Sequence, residues 1–162
     1  MWRQICKNMK GLFLIPVLVA AVDQWIKHLV RMMPDGRPFY CIPGWFDLVP
    51  SVNTGAAFSI FRGNNLLLIL FSAMLLLICL YIGRTIPLTK PAEKACMFLI
   101  GGGLGNLIDR VLFGGVTDYI RLLFIEFPIF NFADIVITCS VFVLIFLMIT
   151  NRFEESTGKT HE

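Results

Sequence analysis

Four long runs of apolar residues dominate the chain, and shorter, more polar segments separate them. The runs cover about residues 11–31, 65–83, 95–112 and 129–150. Each is close to the ~20 residues that a helix needs to cross the hydrocarbon core of a bilayer. The pattern therefore predicts an all-α integral membrane protein with four transmembrane helices.

The composition agrees with this fold class and excludes several others. The 162-residue chain is 57% hydrophobic, whereas soluble domains are usually ~45–50% apolar. Its length suits a single membrane domain, residues 1–162. The basic residues lie at the ends of the runs and form no stripe, so nucleic acid is not an expected partner. Cys79, Cys96 and Cys139 fall in apolar runs and are predicted to fill the core.

The first run is weaker than the others, and it allows two interpretations. It follows a basic start, and Val19-Ala20-Ala21 resembles a signal-peptide cleavage site. However, the helical pattern continues through Asp23 and Lys27 without a break. That continuity favours a retained transmembrane span over a cleaved signal peptide.

The segment between the first two runs, about residues 32–64, has a different pattern. Short extended stretches alternate there with proline, glycine and aromatic residues. This alternation predicts a small β platform on the outer face of the membrane. The tail, residues 151–162, is polar and is predicted to be disordered.

Lysine and arginine predict the orientation, because cytoplasmic flanks carry an excess of them. With both termini inside, more basic residues lie on the cytoplasmic side than on the outer side. The inner set is Arg3, Lys7, Lys10, Arg84, Lys90, Lys94, Arg152 and Lys159, and the outer set is Arg37, Arg62 and Arg121, with Arg31 and Arg110 near the outer helix ends. The β platform is then extracytoplasmic, and the tail is cytoplasmic.

Several polar residues within the runs fall at one depth. With a rise of ~1.5 Å per residue, Asp23, Lys27, Asn106 and Asp109 lie in the outer half of spans that run outward, and Asp134 lies in the outer half of the span that runs inward. A carboxylate near hydrocarbon is costly unless it is paired or functional. The convergence predicts a polar site in the outer leaflet, beneath the β platform.

Ion pairs within one helix offer a structural explanation for some of these charges. Asp23 and Lys27 are four residues apart with the acid first, which is the favourable order for an ion pair. Asp109 and Arg110 are expected to form a structural ion pair at a helix end. On this interpretation the pairs only neutralise one another and anchor their spans.

Other spacings concern how the helices pack. Gly101 and Gly105 form a small-x-x-x-small pair that predicts close approach of two helices. Asn131 and Asp134 are three residues apart, so their side chains point the same way. Pro128 is expected at the start of the last helix, where a missing N–H is tolerated.

Asp118 and Asp134 are the best candidates for catalysis. Asp118 follows the Gly114-Gly115 turn and would be an ordinary turn residue if it stood alone. Opposite Asp134 it becomes half of a carboxylate pair, which is suited to acid–base chemistry. His28 and His161 are too few and too far apart for a metal site, so no metal is expected.

Five blocks with polar residues follow one another along nearly the whole chain. They are Asp23-Gln24-x-x-Lys27, Asn53-Thr54-Gly55-Ala56-Ala57-Phe58, Gly102-Gly103-Leu104-Gly105-Asn106-Leu107-Ile108-Asp109-Arg110, Val116-Thr117-Asp118-Tyr119 and Phe127-Pro128-Ile129-Phe130-Asn131-Phe132-Ala133-Asp134. In this order they resemble the lipoprotein signal peptidase family, also called signal peptidase II. Ile26 and Val52 depart from the family pattern, but neither departure falls on one of the two aspartates.

The resemblance implies a bacterial inner-membrane aspartyl endopeptidase with four transmembrane helices. Such an enzyme removes the signal peptide from diacylglyceryl-modified prolipoproteins and cuts just before the lipidated cysteine. It implies that Asp118 and Asp134 are the catalytic pair. The supporting positions are Asp23, Lys27, Asn53, Gly55, Asn106, Asp109, Arg110, Asn131 and Ala133.

The partners expected from the resemblance are these prolipoproteins and membrane lipids. A monomer is expected because one bundle can supply the whole site, and the chemistry requires no metal or organic cofactor.

Two other functions are possible from the sequence. The first is a proton- or ion-coupled transporter that uses the carboxylates as a relay, and the second is a non-catalytic membrane assembly factor. A transporter predicts polar residues in both leaflets, whereas the inner halves of the runs are almost wholly apolar.

Overall fold

The computed structural model describes residues 14–33, 38–55 and 63–154. This part of the chain forms four helices and three strands. In chain order they are α1 (Leu14–Arg31), β1 (Phe39–Ile42), β2 (Phe46–Asn53), α2 (Asn65–Thr85), α3 (Lys90–Phe113), β3 (Val116–Leu122) and α4 (Phe132–Ile149). The basic start of the chain, residues 11–13 of the first predicted span and Ala56 to Phe58 of the outer-loop block lie outside the described residues.

Three of the helices, α2, α3 and α4, are long and apolar enough to cross a membrane. Leu70 on α2 and Phe142 on α4 are 59% and 68% exposed, as expected of side chains that face lipid. The helix α1 is more polar because its 18 residues include Asp23, Lys27 and Arg31. Asp23 and Lys27 are nevertheless fully buried, so the polar face of α1 is turned into the bundle.

The helix α3 is the centre of the bundle and packs against all three other helices. Glycines bring α1 close to it. A Cβ atom at Gly101 would lie 2.9 Å from Pro16 Cα, and one at Gly105 would overlap the carboxylate of Asp23. The predicted close approach at Gly101 and Gly105 is therefore confirmed, and α1 is the partner.

Two helices begin at residues other than those predicted. The helix α3 begins at Lys90, before residue 95, because Thr89 is its N-cap and Pro91 lies in its first turn. Proline is favoured there, since the first amides of a helix have no partner within it. The helix α4 begins only at Phe132, because Asn131 caps it. Pro128 therefore lies before the helix, and its expected place at the helix start was wrong.

The strands form one antiparallel sheet in the order β1-β2-β3. The predicted platform supplies β1 and β2, but β3 comes from a segment that was expected to be a turn and a loop. Asn53 pairs with Val116 and Ser51 pairs with Asp118. Because side chains two residues apart on a strand share a face, Asn53 and Asp118 lie on the same side of the sheet.

An ion pair holds β2 against β3 near a bulge. The register shifts between Leu48 and Ser51. On one side of this bulge, Arg121 donates to both carboxylate oxygens of Asp47, at 3.0 and 2.6 Å. Asp118 lies on the other side. The ion pair therefore stabilises the pairing of β2 with β3 on its own side of the bulge.

The start of the tail is ordered, contrary to the prediction. The N–H of Thr89 donates to the carbonyl oxygen of Phe153 at 3.0 Å. Leu88 and Glu154 form an isolated bridge. Residues 151–154 are thus attached to the beginning of α3, and the rest of the tail lies outside the described residues.

Candidate active site

Asp118 and Asp134 line the same cavity, although they belong to different elements. Asp118 is the third residue of β3 and is only 3% exposed. Asp134 lies in the first turn of α4. The cavity has a volume of about 490 Å³, and Asn53, Asn106 and Arg110 also line it. The fold therefore brings together the two acids that were predicted to form a pair.

Asn131 connects the two aspartates. Its side-chain Nδ2 donates to Asp118 Oδ1 at 2.7 Å, and its Oδ1 accepts the N–H of Asp134 at 3.0 Å. In return, Asp134 Oδ2 accepts the backbone N–H of Asn131 at 3.1 Å. This reciprocal pair is a capping box, which satisfies amides at the helix start. The same side chain that begins α4 therefore holds Asp118 in place.

Asn106 on α3 holds the other oxygen of Asp134. Its Nδ2 donates to Asp134 Oδ1 at 2.8 Å. Its Oδ1 accepts bonds from Lys27 Nζ at 2.8 Å and from Asn131 Nδ2 at 3.2 Å. Because two donors occupy its oxygen, the amide of Asn106 is oriented with its nitrogen toward Asp134.

Asn53, at the end of β2, supplies a second donor to Asp118. Its Nδ2 donates to Asp118 Oδ2 at 3.0 Å, while its Oδ1 accepts the N–H of Gly55 at 2.9 Å. The carbonyl oxygen of Gly55 accepts a 2.7 Å bond from Arg110 Nη2. A tight turn at Gly55 thus orients Asn53, and Arg110 holds that turn against α3.

A buried ionic network lies behind the aspartate pair. Lys27 Nζ lies 2.8 Å from Asp23 Oδ2 and 3.6 Å from Asp109 Oδ2. Asp23 Oδ1 accepts the N–H of Ala133 at 3.1 Å, and Asp109 Oδ2 accepts the N–H of Thr117 at 2.8 Å. The network therefore joins α1 and α3 to the chain on either side of the cavity.

The expected pairing of Asp109 with Arg110 was wrong. Among the described residues, Asp109 forms its ion pairs with Lys27 and Arg31, whereas Arg110 reaches Gly55. Consecutive side chains on a helix point about 100° apart, because the helix has ~3.6 residues per turn. Asp109 consequently faces α1, and Arg110 faces the cavity.

Two polar residues of α1, Gln24 and Arg31, have roles that were not predicted from the sequence. Gln24 Nε2 donates to Gly105 O and to Asp109 Oδ1, both at 2.9 Å. Arg31 donates to Thr117 Oγ1 at 2.8 Å, and its guanidinium lies 4.1 Å from the ring centre of Phe113. Arg31 follows Lys27 by four residues, so its helical spacing was a signal that placed it on the polar face.

The charges at the site do not balance without a proton. Three cations, Lys27, Arg31 and Arg110, lie among the carboxylates of Asp23, Asp109, Asp118 and Asp134. One proton on the carboxylates would neutralise the cluster.

Burial raises the pKa of Asp118 to about 6, and the negative charge of Asp134 acts in the same direction. The bonds from Asn53 and Asn131 oppose this rise because they stabilise the ionised form.

The cavity continues from the aspartates along an apolar wall. Ile135, Thr138 and Cys139 of α4 line the cavity, together with Phe127 and Ile129. Cys139 is exposed, so its predicted role as a core residue was wrong. Cys96 is buried as expected. The site therefore combines a polar end with an apolar groove.

Comparison with known proteins decides the family. The family model described as Signal peptidase (SPase) II matches residues 15–150. The chain belongs to the signal peptidase II family. A lipoprotein signal peptidase from Streptococcus thermophilus (strain CNRZ 1066) is 34% identical over 152 residues, which cover 91% of this chain and 97% of the relative. Another, from Parasynechococcus marenigrum (strain WH8102), is 41% identical over 145 residues, which cover 87% and 90%.

A solved structure is similar in fold as well. It is described as a bacterial membrane enzyme determined by the in meso method at 2.3 Å resolution. It matches with a TM-score of 0.83 at 29% identity, over 95% of this chain and 94% of that one. The family predicted from the five blocks is thus confirmed. As a signal peptidase II, the protein is a peptidase of a bacterial membrane, and the transporter has no support.

Proposed function

We propose that this signal peptidase II is an aspartic endopeptidase that removes the signal peptide from diacylglyceryl-modified prolipoproteins. It cuts just before the lipidated cysteine. The observation that carries the proposal is the shared cavity of Asp118 and Asp134, with Asn131 bonded to both. The family supplies the reaction class, and relatives named lipoprotein signal peptidase supply the substrate class.

The proposed chemistry uses one proton between the two carboxylates, since close carboxylates do not both ionise readily. The ionised carboxylate takes a proton from a water molecule, whose oxygen attacks the scissile carbonyl carbon. The protonated carboxylate donates its proton to the carbonyl oxygen. When the tetrahedral intermediate collapses, the carboxyl group that took the water proton gives it to the departing amine, and the C–N bond breaks. A hydroxyl of the intermediate returns its proton to the other carboxylate, so the pair again holds one proton. The titration belongs to the pair, so neither Asp118 nor Asp134 is assigned a single part.

The neighbouring amides orient the pair. Asp118 accepts bonds from the side chains of Asn53 and Asn131, and Asp134 accepts one from Asn106. Fixed donors of this kind require little rearrangement during the reaction. They act as positioning groups, with Lys27 neutralising the carboxylates behind them.

Arg110 is assigned to the substrate. Its Nη1 atom is buried and has no hydrogen-bond partner among the described residues. A buried donor without an acceptor costs about 1–3 kcal/mol. Because Arg110 lines the cavity beside both aspartates, an oxygen of the bound substrate would satisfy this donor. The apolar wall with Ile135 and Thr138 is suited to the signal peptide.

The proposed arrangement in the membrane follows from the faces of the helices. We assign α1 as the fourth span, because its charged face is buried in the bundle and Leu18 and Trp25 are exposed. With four spans, both termini lie on the same side of the membrane. The excess of lysine and arginine on that side favours the cytoplasm, so we place the sheet and the active site on the extracytoplasmic side. The chain acts as one domain, residues 1–162, and as a monomer, and membrane lipids surround its apolar surface.

A cleavage assay tests this function. The purified protein is incubated with a diacylglyceryl-modified precursor and with the same precursor lacking the lipid, and mass spectrometry identifies the products. The proposal predicts cleavage of the modified precursor alone, just before the lipidated cysteine. Cleavage at another bond, or equal cleavage of both precursors, would contradict it.

A further inference from the structure

The first turn of α4 is held by side chains from three parts of the chain. The first amides of a helix have no partner within the helix. Two of the first three donate to Asp23 and to Asn131. The remaining one, the N–H of Phe132, donates to the hydroxyl oxygen of Tyr119 at 3.1 Å. Tyr119 is therefore the acceptor at the very start of the helix that carries Asp134.

Tyr119 belongs to the strand that carries the other aspartate, and backbone hydrogen bonds join that strand to the segment before α4. It follows Asp118 directly in β3 and is only 4% exposed. Its backbone N–H donates to Phe130 O at 3.0 Å. Ile120 and Phe130 exchange two further backbone bonds, of 2.8 and 3.1 Å. Backbone hydrogen bonds thus hold the strand and the segment before α4 together near Asp118.

We infer that the hydroxyl of Tyr119 is a positioning group for the aspartate pair. It fixes the first turn of α4, and Asp134 with it, relative to Asp118. Without this acceptor, the N–H of Phe132 would be left unpaired in the site, and the first turn would shift to find another partner. Asp134 lies two residues beyond Phe132, so the shift would change the geometry of the pair. This inference rests on the proposed function of Asp118 and Asp134.

The hydroxyl is placed to act through the helix and not on the substrate. The described residues that line the cavity do not include Tyr119. Burial raises the pKa of Tyr119 to about 12, so the side chain stays neutral while it accepts the N–H. The expected effect of losing it is therefore on the rate of the chemical step and not on substrate binding.

Tyr119→Phe is the direct test, because it keeps the buried ring and removes the acceptor. We expect kcat for cleavage of a diacylglyceryl-modified precursor to fall on the order of tenfold, since small displacements of catalytic groups reduce rates strongly. KM should stay within about twofold. The matched control is Tyr81→Phe on the exposed surface of α2, which should leave both constants unchanged. An unchanged kcat, or a change in KM alone, would overturn the inference.

A second substitution tests whether the effect passes through the Phe132 amide. Phe132→Pro removes that N–H at a helix position where proline is favoured. Asn131 has the extended backbone that a residue before proline requires, with φ −132° and ψ −179°. In the Phe132→Pro background, Tyr119→Phe should lower kcat by less than about twofold. A tenfold loss in both backgrounds would show that Tyr119 acts in another way and would overturn the inference.

Tyr119→Phe and Asp118→Asn together separate this inference from the proposed function. If the unmodified enzyme cuts the precursor and Tyr119→Phe cuts it equally fast, the inference alone fails. If Asp118→Asn still cuts at the full rate, the proposed function fails, whatever Tyr119 does. Thermal unfolding of each variant in detergent shows whether a lower kcat comes from folded protein.

Discussion

The side-chain amide of Asn131 donates a 2.7 Å hydrogen bond to the carboxylate of Asp118. The oxygen of that amide accepts the N–H of Asp134, so one side chain serves both aspartates. Residue 131 consequently has two separable tasks. It caps α4, and it orients Asp118.

Substitutions at Asn131 should separate these tasks. Serine is also a good N-cap, but it is too short to reach Asp118. Alanine can neither cap the helix nor reach Asp118. Asn131→Ser should keep the stability of the fold within ~0.5 kcal/mol and should lower kcat on the order of tenfold. Asn131→Ala should lower kcat similarly and also cost ~1 kcal/mol of stability. Thermal unfolding and cleavage rates measure the two effects, and a normal kcat for Asn131→Ser would refute the orienting role.

The bond from Asn53 predicts a shift in the pH dependence. It stabilises the ionised form of Asp118 and so lowers a pKa that burial raises to about 6. The active pair needs its one shared proton, which is lost as the pH rises through this pKa, so kcat should decline above about pH 6. In Asn53→Ser the opposing bond is gone, the pKa of Asp118 rises further, and the decline should begin at a higher pH. A shift toward lower pH in the kcat profile would contradict this account.

Gly102 should be intolerant of even a methyl group. A Cβ atom there would lie 2.9 Å from both Ala133 O and Ile137 Cγ1, so α3 and α4 would have to separate. Gly102→Ala should cost ~1–3 kcal/mol of stability and weaken the bond between Asn106 and Asp134. Gly83→Ala is the control, because a Cβ atom there meets nothing within 4 Å. Equal thermal midpoints for the two variants would show that α3 and α4 are not tightly packed at this point.

Lys27 should be essential for the fold as well as for activity. It is fully buried, and its removal leaves Asp23 without the lysine 2.8 Å away and leaves Asp109 paired with Arg31 alone. Breaking such a buried pair typically costs ~3–5 kcal/mol, so Lys27→Met should lower the thermal midpoint in detergent strongly. Lys94→Met removes an exposed lysine from α3 and should change the midpoint little. A small effect of Lys27→Met would mean that water reaches the site.

The sequence was sufficient to predict the features that depend on helical spacing and depth. The positions of Asp23, Asn106 and Asp134 along their runs predicted a common layer, and Asn106 does bond to Asp134. The i,i+4 spacing of Asp23 and Lys27 predicted their ion pair, which forms at 2.8 Å. The ion pair follows from the spacing within one helix, and the common layer follows from counting the helical rise along each run, so both can be read from the sequence.

Features that depend on contacts between distant segments were not predictable. The strand β3 forms because residues 116–122 pair with β2, and no local pattern around Asp118 indicated that pairing. The direction of Arg110 depends on the turn at Gly55, which comes from another part of the chain. The role of Tyr119 likewise could not be predicted, because it depends on where α4 lies relative to β3. Such positions result from tertiary packing.

The rate of cleavage by Asp118→Asn and by Asp134→Asn tests the central claim most directly. Each variant is compared with Glu126→Gln, which changes an exposed acid in the loop before α4, on a diacylglyceryl-modified precursor. The account predicts that both aspartate variants bind the precursor but cut it at least ~100-fold more slowly, while Glu126→Gln cuts at the normal rate. Cleavage at the normal rate by either aspartate variant would contradict the proposal that this pair carries out the reaction.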